Sequence, residues 1–495
     1  MDFSGNTILC LGDIMLDRFA HCGIERISPE APVPVLRLER VQSMLGGAGN
    51  VARNIAALGG SAVLMGLLGG DAAGAEVRRA IAATPRLVDG HVESPGRPTI
   101  CKTRYLAAHQ QIMRVDEEQV RALEPDEEAR LLAAIAAAMP AVQAVVLSDY
   151  GKSVLSPRVV AFAIRRARAR GIPLFVDPKS DDFGRYRGAT CITPNQAELA
   201  LAARQPTGSD EEIVAAARRV LRDAKAEAIL ATRSDKGMVL VEAAGGPDGA
   251  VHIEPARARE VFDVSGAGDT VIAVLALAHA AGLPLPEAMR LANTAAGIVV
   301  GKLGTAVVEL DELQLEVSRE ARERAGHNEK LYSVAEAETL VRQWKSRGLA
   351  VGFTNGIFDI VHPGHVGYLG GARGECDRLV VALNSDASTR RLKGPTRPVN
   401  ALADRMAVIA ALGSVDAVIS FEEDTPIELI RRLRPDVLMK GADYTFDTVV
   451  GADEVIATGG RVVLVDLVKG HSTTKVIDRL KTPAAAAAAA GAGKD

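Results

Sequence analysis

The chain is 495 residues long, with 24% charged residues, 3% aromatics and a formal net charge of −4 at pH 7. That length predicts two or three domains, each with its own core, while the weak net charge and scarce aromatics disfavour nucleic acid and anionic membrane as partners. Five scattered cysteines without metal-ligand spacing, no signal peptide and no apolar run of membrane-spanning length predict a reducing, cytoplasmic setting.

Along the chain, short β-branched apolar runs at 7–11, 62–65, 144–147, 174–176 and 228–231 alternate with helical stretches at 49–58, 127–138 and 157–170. Two long helical stretches follow, around 267–281 and 286–300. This alternation predicts an α/β sheet in a first domain, 1–315. The segment 316–347 begins highly charged and reads as a solvated helix or linker. A second α/β unit, 348–480, carries strand-like runs at 350–353, 378–383, 417–420, 437–439 and 462–465. The tail, 481–495, is Ala-rich, without a motif, and reads as a flexible end.

Two motifs carry chemistry. In Asp263-Val-Ser-Gly-Ala-Gly-Asp-Thr270, the small residues Gly266, Ala267 and Gly268 open an apolar helix. Its free backbone N–H groups can face an anion, and Asp269 stands where it can take the proton of an attacking hydroxyl. Alone, such a turn reads equally well as a glycine turn with a capping Asp. A second glycine-rich helix entry, Gly46-Gly47-Ala-Gly-Asn50, offers Asn50 as a hydrogen-bonding partner for a polyol.

In order and spacing, these two glycine motifs resemble the signatures of the ribokinase-like (PfkB) carbohydrate kinases over roughly residues 1–315. The resemblance implies an α/β sandwich with a small β lid, ATP near the second motif, sugar near the first, and Asp269 as catalytic base. Thr193-Pro-Asn195-Gln196-Ala197-Glu198 matches that family's element for holding Mg²⁺ and phosphates through water, with Glu198 toward the metal. Asn195 and Glu198 also form a fair capping box, and both roles can coexist. Thr232 to Gly237 resembles the strand end that contacts the nucleotide, although a plain turn reads similarly.

Asp13, leaving the first strand, is preferred over Asp17 as the sugar-binding carboxylate. The stretch 25–35, Lys102-Thr-Arg104-Tyr and the segment 110–116 resemble the heptose 7-phosphate kinases. A phosphorylated sugar needs cations, and Lys102, Arg104, Arg114 and Lys179 are the candidates, each of which taken singly reads more readily as a surface charge. In such kinases the edge strands of the lid commonly pair across a homodimer.

The second chemical motif is Thr354-Asn355-Gly356-Ile-Phe358-Asp359-Ile-Val-His362-Pro-Gly-His365, a strand end running into a helix. Its imidazoles and backbone N–H groups suit charge that develops on an α-phosphate and on leaving pyrophosphate. Over roughly 348–480 the chain resembles the cytidylyltransferase-like nucleotidyltransferases, and in particular those that make ADP-heptose. The resemblance points to Lys393 and Arg397, Arg405, Lys440 and Asp443, and Ser472, Thr473 and Thr474 as nucleotide and phosphate contacts. Ile357 and the surroundings of His471 and Lys475 depart from the commoner pattern, as do Val264 and Ser265, without removing a catalytic group.

The order of the two resemblances matches the bifunctional heptose 7-phosphate kinase and heptose 1-phosphate adenylyltransferase family. It implies ATP as substrate in both reactions, heptose phosphates as acceptors and a separate heptose bisphosphate phosphatase acting in between. Two rivals stand beside it: a sugar-phosphate kinase fused to a CTP-using transferase, and a non-catalytic sugar-nucleotide-binding regulator.

Overall fold

The computed structural model describes residues 1–466 apart from 108–109, 245–248, 258–260, 262, 303, 327 and 443. The Ala-rich tail and the last predicted phosphate motif lie outside the described residues. The chain divides into two compact units, Met1–Gln314 and Leu315–Asp495.

Among the described residues of the first unit, nine strands make one sheet. Its order is Ala250–Glu254, Met238–Glu242, Ala228–Thr232, Cys191–Ile192, Leu174–Asp177, Ala144–Ser148, Thr7–Gly12, Ser61–Met65, Leu87–Asp89. The last seven are parallel, and the first two join by antiparallel pairing. Ala144–Ser148 is buried throughout and Thr7–Gly12 from Ile8 onward. Burial on both faces is why these strands read as unbroken apolar runs rather than alternating ones. Each fully covered Leu or Ile there stabilises the fold by roughly 1.5–3 kcal/mol.

Helix Ala267–Ala280 is buried without interruption from Asp269 to Ala278 and packs on Ala48–Ala57 and Leu285–Val299. A helix apolar on every side belongs inside the core, so the glycine turn before it is held rigidly. Helix Pro157–Arg170 shows how the sequence sets limits: Ser156 accepts from Val159 N at its start, and Gly171 ends it in a left-handed conformation.

A second sheet, ordered Pro34–Gly47, Ile14–Ile27, Ile100–Ala107, Gln110–Glu117, forms the lid. Strand Ile14–Ile27 leaves the central strand Thr7–Gly12 after the single residue Asp13. It is largely buried near its start and exposed from Ile24 to Ile27.

Among the described residues of the second unit five parallel strands lie in the order Ala417–Phe421, Arg378–Asn384, Val351–Gly356, Val437–Gly441, Arg461–Val465. The order reverses between Val351–Gly356 and Val437–Gly441, where such sheets open a crevice beyond their carboxyl ends. Helix Val334–Ser346, within the stretch expected as charged helix or linker, buries Ala337 and Val341 in the core of this unit. Its Ser333–Glu336 capping box fixes where it starts. All five cysteines are free, and among the described residues no helix is long and apolar enough to cross a membrane.

Candidate active sites

In the first unit the glycine turn delivers Asp269 to the opening turn of helix Ala267–Ala280. Gly266 has φ +80°, and a Cβ there would lie 2.8 Å from Asn50 Nδ2, so only glycine serves. Asp269 is buried, and each carboxylate oxygen has a donor: Asn50 Nδ2 to Oδ2 at 2.8 Å and the Tyr150 phenol to Oδ1 at 2.8 Å. Burial raises its pKa to about 6; the two hydrogen bonds oppose that shift and the charge of Asp17 adds to it. The group is thus a base that becomes available just below neutral pH. Tyr150 escaped the sequence reading because its partner lies 119 residues away.

The two aspartates at the root of the lid have different surroundings from those expected. Asp13 is fully buried and accepts the backbone N–H groups of Tyr150 and Lys152 at 3.0 Å and of Val154 at 3.3 Å. It organises a loop. Asp17 sits against Gly46, where a Cβ would come within 2.1 Å of its Oδ2, and pairs with Arg104 at 2.5 Å. Lid register sets Asp17 opposite Lys102 and Phe19 opposite Arg104, and the next strand adds Asp116 and Arg114. Directly opposed residues share a face, so Asp17, Lys102, Arg104 and Arg114 lie together on one side of the lid. Gly47, in a left-handed conformation, caps helix Ala48–Ala57 and brings Asn50 to Asp269.

A cavity of about 180 Å³ adjoins Tyr150 and is lined as well by Asp177, Lys179, Asn195, Glu198, Thr232 and Gly268. Lys179 donates to Glu198 Oε1 at 3.1 Å, which places it with these residues rather than on the lid face expected for a sugar phosphate. Asn195 and Glu198 form the expected reciprocal capping box. Gln196 instead reaches Thr207 O at 2.5 Å, and Gln196, Ala197 and Gly237 do not line the cavity. Among the described residues no three His, Cys, Asp or Glu side chains are grouped to hold a metal ion unaided. Mg²⁺ takes one or two carboxylates and completes its shell with water and phosphate oxygens, a demand that Asn195 and Glu198 fit.

In the second unit, Asn355 is the penultimate residue of strand Val351–Gly356 and Lys440 that of Val437–Gly441, both at the switch point. Lys440 Nζ donates to Asn355 Oδ1 at 2.5 Å and lies 5.4 Å from the Tyr444 ring centroid. His362 is the N-cap of helix Pro363–Gly374. Phe358, held at φ +47°, packs edge-to-face with His365, the ring centroids 5.2 Å apart. A non-glycine residue in that conformation is strained, and such strain gathers where geometry is demanding.

Arg405 and Arg397, expected as phosphate contacts, and Asp359 of the second motif are engaged with the protein's own loops here. Arg405 is 1% exposed and donates to the carbonyls of Asn400, Ile357 and Asn384 and to Asp386, bracing the loops beneath the crevice. Asp359 accepts Arg397 Nε at 2.5 Å and the amides of Val399 and Asn400, pinning the loop after Lys393. Burial works against its ionisation, but these donors hold its pKa below the usual carboxylate range. Arg397 is thereby committed to Asp359. Lys393 is exposed and has no ion-pair partner among the described residues. Asp443, Ser472, Thr473 and Thr474 lie outside the described residues.

The pfkB family of carbohydrate kinases matches residues 6–312, and the cytidylyltransferase-like family matches 353–479. The chain is 59% identical over 486 residues to the bifunctional protein HldE of Gluconacetobacter diazotrophicus, covering 98% of this chain and 100% of that one. With the bifunctional protein HldE of Granulibacter bethesdensis it shares 56% over 484 residues, covering 97% and 100%. Among solved structures, Escherichia coli phosphofructokinase-2 in complex with potassium aligns with a TM-score of 0.54 at 21% identity, over 64% of this chain and 99% of that one. A ribokinase-type structure from Agrobacterium tumefaciens aligns at 0.51 and 21%, over 65% and 99%. At that identity the two structures speak for the fold of the N-terminal unit.

Proposed function

This chain belongs to the bifunctional HldE proteins, a pfkB-family carbohydrate kinase joined to a cytidylyltransferase-like domain, and from that premise we propose that it performs two non-consecutive steps of ADP-heptose synthesis. The first is phosphorylation of D-glycero-β-D-manno-heptose 7-phosphate at C1 by ATP. The second joins AMP from ATP to heptose 1-phosphate, giving ADP-heptose for the lipopolysaccharide core and releasing pyrophosphate. The observation that carries this reading is near full-length identity to HldE proteins in a chain that keeps Asp269 and the His362–His365 pair.

In the first step Asp269 takes the proton of the C1 hydroxyl as that oxygen bonds to the γ-phosphorus and ADP departs. Asp17 and Asn50 accept and donate hydrogen bonds to the sugar, while Lys102 and Arg104 meet its 7-phosphate. Backbone N–H groups at Gly266 to Gly268 face the transferring phosphoryl oxygens. Asn195 and Glu198 would hold Mg²⁺ through water, a cation that neutralises charge on the phosphates. In the second step a sugar phosphate oxygen attacks the α-phosphorus in line; no proton need move, and the work falls to Lys440, which offsets charge on the phosphates, and to His362 and His365, whose ring N–H groups can donate hydrogen bonds to them.

Further parts of the reading are a cytoplasmic homodimer and a separate phosphatase between the steps. Exposed Ile24, Ile27, Leu38, Val41, Ile112 and Met113 on the lid support the dimer. The test is product analysis from heptose 7-phosphate and ATP, with and without an added phosphatase. The bisphosphate alone should accumulate without it and ADP-heptose should form with it; turnover of heptose 1-phosphate with CTP but not ATP would overturn the second assignment.

A further inference from the structure

We infer that Tyr150 is a positioning residue for phosphoryl transfer: its phenol aims the Asp269 carboxylate, and Asp13 fixes the loop that carries it. This rests on the reading of Asp269 as the base. The Tyr150 hydroxyl donates to Asp269 Oδ1 and Asn50 Nδ2 to Oδ2, each at 2.8 Å. The terminal torsion of a carboxylate is broad and soft, so one donor alone leaves the group free to swing, whereas one on each oxygen fixes its plane.

The aim of the phenol is itself fixed. Tyr150, Lys152 and Val154 donate their backbone N–H groups to the buried Asp13, and Gly151 N donates to Asp149 at 2.8 Å. Lys152 Nζ also reaches Glu118 at 2.5 Å, just beyond lid strand Gln110–Glu117, while Asp13 immediately precedes lid strand Ile14–Ile27. Two roots of the lid therefore meet at the loop that aims the base.

Burial, and then the charge of Asp269, keeps the phenol protonated far above the working pH, so it acts as a donor and not as a second base. The other charged groups facing the pair are Asp17 from the lid strand and Asp177 from the sheet end. Glu198 and Lys179 line the adjoining cavity, and Arg53 lies near Asp17. All remain when the phenol is removed, and loss of a donor to the carboxylate raises the pH at which the base is available.

The test is full-length Tyr150→Phe beside Asp269→Asn, with the melting transition of the N-terminal unit of the same chains as the control for folding. Tyr150→Phe should lower kcat for phosphorylation on the order of tenfold, leave KM for ATP within about twofold and move the acid limb of kcat to higher pH. A wild-type kcat and acid limb would overturn the inference, as would a raised KM with kcat and acid limb unmoved, which makes the phenol a substrate contact. Phosphorylation surviving in Asp269→Asn would instead overturn the base reading; its loss beside an unmoved Tyr150→Phe profile overturns only the role of Tyr150.

Discussion

The imidazole rings of His362 and His365 lie stacked, with centroids 3.9 Å apart and planes 17° from parallel. Burial, followed by the neighbouring His362, pushes His365 down to about 4, so it meets a nucleotide as a neutral ring. If the pair stabilises charge on the α-phosphate and pyrophosphate, His365→Ala should lower adenylyl transfer by roughly 10²–10³-fold. Phosphorylation should be unchanged. Pyrophosphate release and heptose phosphorylation measured on one preparation check both halves.

The same histidine makes stability sensitive to acid. Its folded pKa of about 4 lies below the ordinary 6.5, so between those values the unfolded chain binds more protons. The contribution is complete above about 6.5 and is lost as pH falls toward 4. Denaturant midpoints of the C-terminal transition should drop across that window, and His365→Gln should flatten the slope.

Asp269 has the opposite sign. Its folded pKa of about 6 exceeds the ordinary 3.8, so the folded state binds more protons between them, and that stability is lost as pH rises through 6. The acid limb of the phosphorylation rate should therefore lie near pH 6, and Asp269→Asn should abolish turnover while stabilising the N-terminal unit at pH 7 by about 1–3 kcal/mol. A melting temperature below wild type would contradict this account of the carboxylate.

Asp17 and Asp13 separate binding from organisation. Asp17→Asn should raise KM for the heptose phosphate by about tenfold or more with little change in melting temperature. Asp13→Asn weakens the acceptor for three loop amides; it should lower the melting temperature and kcat together. Equal KM effects from the two variants would contradict the division.

Arg405 is expected to act on stability. Removing its side chain strands three carbonyls and Asp386, so Arg405→Met should cost the C-terminal unit about 3–5 kcal/mol. KM for ATP in the protein that remains folded should hold. A raised KM at unchanged stability would restore the phosphate-contact role.

The strands of the first sheet that were expected and the long helices were legible in the sequence to within one or two residues, because burial on both faces leaves continuous apolar runs and caps such as Ser156 and Gly171 mark the ends; strand Val351–Gly356 runs three residues past its expected end, into the polar Asn355 and Gly356. The glycine turn before Asp269 and the His362–His365 helix start were equally legible, since each is a local arrangement of small residues at a helix N-terminus. The lid was not read from periodicity: its strands are long, partly exposed and paired across distant segments. Tertiary structure alone decided which polar groups face the crevices and which serve the backbone. Asp13 meets amides 137–141 residues away, Asp359 meets a loop about 40 residues on, and Arg405 braces Ile357 O at a separation of 48. Aspartate and arginine suit a ligand and a buried carbonyl or amide equally well, and only the closure of distant chain around them determines which partner each one has.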